Sequence, residues 1–177
     1  MKDSHLSLIT GGSRSGKSSY ALNLAQERAG DGGRAFFLAT AQPIDDEMRA
    51  RIAHHRSLRP GIFETIEEPV ELCEVLAKLD GRCEVLVIDC LTIWISNLLA
   101  ANRGHDAIMA EADRLAIALR AAPFSTFVVT DEVGSGIVPM EPLSRSFRDL
   151  LGWTNQALGR AADRIVLMVA GYPLRVK

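Results

Sequence analysis

A three-layer α/β fold, with a mostly parallel central sheet and an antiparallel last strand, is what this sequence predicts. Three observations carry that expectation. Short β-branched or aromatic runs alternate with longer helical patterns; several of the runs are apolar at nearly every position; and the final run follows its predecessor by too few residues for a crossover. Strands that are apolar throughout are covered on both faces, and alternation with helices implies right-handed crossovers and parallel pairing. The 177 residues suit one domain spanning 1–177, because domains most often hold ~100–200 residues and no Ser/Gly/Pro linker divides the chain.

The polar start, Met1 to His5, reads as a flexible extension, and the first strand is expected at Leu6 to Thr10. A helix from Gly16 to Ala29 follows, closed by Gly30. Ala35 to Thr40 is the second strand, and the helix after it runs from Ile44 to Leu58. Asp45, Asp46 and Glu47 load its first turn with negative charge, which suits the positive end of the helix dipole, and Arg59-Pro60-Gly61 stops it. Ile62 to Ile66 is too short a run to decide between strand and loop. Further helices are expected at Pro69 to Leu79, Leu91 to Ala101, Asp106 to Ala121 and Pro142 to Ala162, with strands at Val85 to Asp89, Thr126 to Thr130 and Ile165 to Val169. Ala170-Gly171-Tyr172-Pro173 then forms a turn, so Leu174 to Lys177 is expected to pair antiparallel.

Composition removes several function classes. The formal charge of 20 − 22 = −2 gives no basic excess of the kind that grips a phosphate backbone, so nucleic acid is not expected as a partner. No run approaches the ~20 apolar residues that span a bilayer, and the start is too short and polar for a secretory signal, which together point to the cytoplasm. Cys73, Cys83 and Cys90 form no C-x-x-C pair and are expected as buried small hydrophobes.

Directly after the first strand stands Gly11-Gly12-Ser13-Arg14-Ser15-Gly16-Lys17-Ser18, which matches G-x-x-x-x-G-K-[ST] and opens a helix. This is the phosphate-binding loop, and it makes the expected fold P-loop NTPase-like. Glycines let backbone N–H groups close on a polyphosphate, the new helix offers unpaired N–H groups, Lys17 supplies a point charge and the Ser18 hydroxyl can ligate Mg²⁺. Such a loop wants a carboxylate at the end of a neighbouring buried strand. Asp89 closes Val85 to Ile88 and is favoured; Asp131-Glu132, after Phe127 to Thr130, competes, and both ends could contribute. Asp131-Glu132-Val133-Gly134 also looks like a GTPase switch element, but the chain has no N-K-x-D guanine-reading sequence.

His54 and His55 are adjacent on a predicted helix, so their side chains point ~100° apart. Met48, Ile52 and His55 fall on one apolar stripe, whereas His54 shares a face with Glu47, Arg51 and Leu58. His55 is therefore expected to point inward, where a histidine is either a packed, hydrogen-bonded residue or a reactive one.

The P-loop, Ala39-Thr40-Ala41-Gln42 with Asp45 to Met48, Arg51-Ile52-Ala53-His54-His55-Arg56 through Pro60, and Glu132-Val133-Gly134-Ser135-Gly136-Ile137-Val138-Pro139 together resemble one family. It is the bifunctional adenosylcobinamide kinase / adenosylcobinamide-phosphate guanylyltransferase of cobalamin assembly, and the resemblance runs from Leu8 to the C-terminus. It implies that His55 is the guanylylated nucleophile and that Gly11 to Ser18, Ala39, Thr40, Ala41, Arg56, Ser57, Leu58, Arg59, Glu67 and Asp89 bind GTP, with Ser18 and Asp89 at Mg²⁺. It implies two reactions. ATP or GTP phosphorylates the aminopropanol hydroxyl of adenosylcobinamide, with Lys17 and the P-loop amides neutralising charge. GMP then passes from GTP through His55 to adenosylcobinamide phosphate, giving adenosylcobinamide-GDP and pyrophosphate. Relatives of this kind form trimers whose junctions take the cobinamide, so a homo-oligomer is implied. Two rivals stand beside this reading: a small-molecule P-loop kinase in which His55 is simply packed, and a nucleotide-binding switch without a substrate of its own.

Overall fold

The computed structural model describes residues 5–30, 32–57 and 59–177. Its seven strands are β1 (Leu6–Gly11), β2 (Ala35–Ala39), β3 (Phe63–Glu67), β4 (Val85–Asp89), β5 (Ser125–Val129), β6 (Arg164–Val169) and β7 (Tyr172–Arg175). Its helices are α1 (Lys17–Ala29), α2 (Asp46–Ser57), α3 (Leu72–Leu79), α4 (Leu91–Ala100), α5 (His105–Ala121) and α6 (Pro142–Ala161). The strands form one sheet in the order β3-β2-β4-β5-β1-β6-β7, parallel except where β7 returns against β6. The expected P-loop NTPase-like α/β architecture is the one observed.

Period-two placement splits the central strands between two cores. Leu6, Leu8, Phe36, Leu38, Leu86, Ile88 and Val128 face α3 to α6, where Leu72, Trp94, Leu98, Leu115 and Leu150 are fully covered. Ile9, Phe37, Val87, Phe127 and Val129 face α1, whose Ala21 and Ala25 present almost no bulk and let the helix lie close to the sheet. Among the described residues, no helix is long and apolar enough to cross a membrane.

Several boundaries differ from expectation, each for a local reason. The 62–66 run is a strand, Phe63–Glu67, which adds to the outer edge of β2; one flank has no neighbour, which explains its largely exposed polar residues. α2 begins at Asp46 rather than Ile44, because the Asp45 carboxylate accepts the Met48 N–H at 2.7 Å and so sits outside the helix as its cap. Leu58, expected as its last residue, lies outside the described residues. α3 begins at Leu72 rather than Pro69, because the Glu68 carboxylate takes the N–H groups of Val70 and Glu71, each at 3.0 Å. β7 spans Tyr172–Arg175 rather than Leu174 to Lys177. Ala170 (φ 51) and Gly171 (φ 86) alone make the turn, both in the left-handed region that a two-residue hairpin loop requires. Pro173 is tolerated because β7 is an edge strand. Met1 to Ser4 lie outside the described residues. His5 is no free extension: its carbonyl accepts the Thr126 N–H at 2.8 Å and its Nδ1 lies 3.6 Å from Asp163. Cys83 is buried as expected, whereas Cys73 and Cys90 are half-buried.

Candidate functional site

The site lies at the carboxyl ends of the parallel strands, where β1 gives way to α1. Two glycines make the loop possible. A Cβ at Gly11 (φ 148) would stand 2.6 Å from the Met168 carbonyl oxygen, and Gly16 (φ 95) holds a left-handed conformation at the helix start. The Glu132 N–H donates to the Gly11 carbonyl at 3.1 Å and the Gly171 N–H to the Ser15 carbonyl at 3.1 Å, so the segment that follows β5 and the β6–β7 turn both brace the loop.

Lys17 is buried, yet its Nζ lies 2.7 Å from Asp131 Oδ1 and donates to the Gly12 carbonyl at 2.6 Å. Asp89 ends β4 in register with Ala39 and Val129, and it is hydrogen-bonded to the Ser18 side chain. Burial pushes the Asp89 carboxyl above its ordinary range; the Ser18 contact and the neighbouring His55 and Arg59 oppose that rise, and Asp131 adds to it. A hydroxyl and a carboxylate together are hard oxygen donors of the kind Mg²⁺ takes while keeping waters and phosphate oxygens as its other ligands. No group of three or more His, Cys, Asp or Glu that could hold a metal occurs among the described residues, so this pair fits a metal that arrives with phosphate oxygens.

These groups open on a cleft of about 370 Å³, within the range of small-molecule sites. Its polar walls are Ser13 to Ser19, Arg51, His55, Arg59, Glu67, Asp89 and Asp131; its apolar walls include Phe37, Met48, Ile52, Ile93 and Val129. Two buried polar atoms on this wall, Ser15 Oγ and Arg59 Nε, have no partner in the protein. Arg59 is fixed otherwise, its guanidinium carbon 3.8 Å from the centre of the Phe37 ring and its Nη1 donating to Thr65 Oγ1 at 3.2 Å. Burial lowers its pKa, and Asp89 opposes that shift. A preformed cationic donor with a free N–H, beside a loop of amides, is suited to a phosphate oxygen.

The expected residues divide by position. Lys17, Ser18, Ser13 to Gly16, Ala39, Ala41, His55, Arg59, Glu67 and Asp89 line the cleft. Gly11, Gly12, Thr40, Arg56 and Ser57 do not: Gly12 accepts Lys17, the Thr40 hydroxyl exchanges hydrogen bonds with the Cys90 backbone at 2.8 and 2.9 Å, Arg56 pairs with Glu67, and Ser57 donates to the His54 carbonyl at 2.8 Å. Leu58 is outside the described residues. Met48, Ile52 and His55 share the face of α2 that lines the cleft and His54 is not on that wall, as the stripe predicts; what differs is that this face meets a cleft and not a packed core, because no residue of α2 is buried. Glu132 is exposed, its carboxylate accepting its own loop's Gly134 N–H at 2.7 Å, and Asp131 is the residue of that pair that reaches the cleft. Phe37, Arg51, Cys90 and Ile93 were not among the expected site residues, whereas Asp131, expected with Glu132 as the competitor of Asp89, lies on the cleft against Lys17. Spacing placed Arg51 with His54, away from the apolar stripe, yet it lines the cleft one turn before His55.

Residues 7–176 match the family described as cobinamide kinase / cobinamide phosphate guanyltransferase. The chain is 39% identical over 182 residues to the bifunctional adenosylcobalamin biosynthesis protein CobU of Escherichia coli, covering 96% of this chain and 98% of that one. It is 41% identical over 172 residues to the corresponding protein CobP of Pseudomonas aeruginosa, covering 96% of each. Among solved structures, a KaiC-like protein from Pyrococcus horikoshii OT3 superposes with a TM-score of 0.52 over 92% of this chain and 70% of that one, and at 14% identity it shares the fold alone.

Proposed function

The chain belongs to the cobinamide kinase / cobinamide phosphate guanyltransferase family, and from that premise we propose that one cleft serves both of its reactions, with His55 as the covalent carrier of GMP. The observation that carries this reading is that His55 lines the same cleft as Lys17, Ser18 and Asp89.

In the kinase reaction the aminopropanol hydroxyl of adenosylcobinamide attacks the γ-phosphorus of ATP or GTP, an O–P bond forms, and the nucleoside diphosphate leaves. Gly11 to Ser18 cradle the phosphates, Lys17 and Arg59 offset the charge that gathers on them, and the cleft walls hold the reacting oxygen in line. Ser18 and Asp89 would hold Mg²⁺, which when bound supplies further charge neutralisation. In the guanylyl transfer a ring nitrogen of His55 attacks the α-phosphorus of GTP and pyrophosphate leaves. A phosphate oxygen of adenosylcobinamide phosphate then breaks the N–P bond, giving adenosylcobinamide-GDP and freeing the imidazole. Dividing the transfer through a covalent adduct replaces one difficult step by two easier ones.

Two phosphorus atoms must meet two nucleophiles, so a fixed pose is not enough. The lack of buried residues on α2 supports a helix that shifts along the nucleotide, and free and nucleotide-bound proteins should differ in the His55 to P-loop distance. Ile137 and Met140 are each 96% exposed in the loop that follows Glu132, which supports assembly with further copies, as trimers with the cobinamide at their junctions.

Incubation with GTP labelled at the α-phosphate tests the assignment. An acid-labile, alkali-stable protein adduct is expected, and His55→Ala should abolish it while keeping kinase activity. A folded His55→Ala protein lacking both activities would contradict this division of labour.

A further inference from the structure

We propose that Asp131 determines which form of the nucleotide the cleft admits: by holding Lys17 in an ion pair it disfavours the metal-free triphosphate and makes binding depend on a divalent cation. This rests on the nucleotide reading above. Lys17 is 8% exposed, so its ammonium needs an anion or a set of acceptors close by. Of its three N–H donors, one is directed at Asp131 Oδ1 (2.7 Å) and one at the Gly12 carbonyl (2.6 Å). An entering polyphosphate therefore meets a lysine whose charge is already offset, with two carboxylates, Asp89 and Asp131, on the same wall.

Asp131 does not readily leave. Its N–H donates to Thr92 Oγ1 at 2.9 Å, its carbonyl accepts Asn155 Nδ2 at 3.0 Å, and Asn155 Oδ1 in turn accepts the hydroxyl of the buried Thr130 at 2.7 Å. The backbone is thus held by α4 and α6, and the carboxylate stays directed at the P-loop. Like charges a few ångström apart in this setting repel by several times the thermal energy. A cation at Ser18 and Asp89 reverses that balance, and Lys17 can then exchange Asp131 for a phosphate oxygen.

Calorimetric titration of GTP into the full chain, once with excess EDTA and once with Mg²⁺, tests the proposal. The wild type should bind at least ~100-fold more tightly with Mg²⁺; uncharged Asp131→Asn should tighten metal-free binding by ~10-fold or more and shrink that ratio. Asp131→Glu, which keeps the charge, should keep the ratio. Asp131→Ser gives a second uncharged side chain should Asn perturb the fold, which thermal melting of each variant checks. A wild-type affinity indifferent to Mg²⁺, an unchanged ratio in a folded uncharged variant, or loss of binding with and without metal in such a variant would overturn the proposal. Wild-type protein that binds GTP under neither condition would remove the nucleotide reading itself, and the proposal with it.

Discussion

Arg59 shows how a single side chain can be made ready for a ligand before the ligand arrives. Its guanidinium is stacked on Phe37 and tied to Thr65, while its buried Nε has no partner in the protein. Stacking uses the planar face and leaves the edge as a donor, a division that an ammonium cannot reproduce. Arg59→Lys should therefore raise the KM for GTP roughly tenfold, the order expected for a lost charge-assisted hydrogen bond. Steady-state kinetics with GTP varied would check it, and an unchanged KM would place the guanidinium away from the phosphates. The cysteine beside Asp89 behaves differently. Burial pushes the Cys90 thiol up to about 12, so although it lines the cleft it stays protonated at neutral pH and is no nucleophile.

At the scale of elements, β1 and the end of α6 are tied together by Asp163. Its carboxylate accepts the Leu6 N–H at 2.9 Å, pairs with Arg120, and lies 3.6 Å from His5 Nδ1. Burial alone would raise its pKa; the Leu6 N–H, Arg120 and His5 outweigh that and hold it below the ordinary range. A depressed carboxyl contributes stability above its unfolded pKa and loses it as pH falls through the folded one. Asp163→Asn should therefore lower the Tm at neutral pH, and the gap to wild type should close as pH falls from about 3.9 downward. A gap that ignores pH would contradict this account. The central strands were legible because Val85 to Ile88 and Ala35 to Leu38 are apolar at every position, a pattern that only double-sided burial explains. The edges were harder to read. In β3 the apolar residues Phe63 and Ile66 are three apart and so break period-two alternation, and Pro173 resembled a turn residue because nothing in the local sequence says that its strand has a free flank. For α2 the spacing of Met48, Ile52 and His55 identified the right face but not what that face meets, since a stripe bordering a cleft has the same period as one bordering a core.

For the whole molecule, crossovers bring Gly11 to Ser18, Asp89, Asp131 and the His55 face of α2 to one end of the sheet. The P-loop was legible as a contiguous motif with a mechanism. The Lys17–Asp131 pair was not, because it joins the start of α1 to the end of β5, and only strand order makes β1 and β5 neighbours. Shared use of one cleft is the central claim, and Lys17→Ala tests it most directly, with both activities measured on the same folded protein. If one triphosphate site serves both reactions, phosphorylation of adenosylcobinamide and α-phosphate labelling of His55 should each fall by ~100-fold or more. Labelling that persists at the wild-type rate while phosphorylation is lost would mean that His55 draws its GMP from a different site.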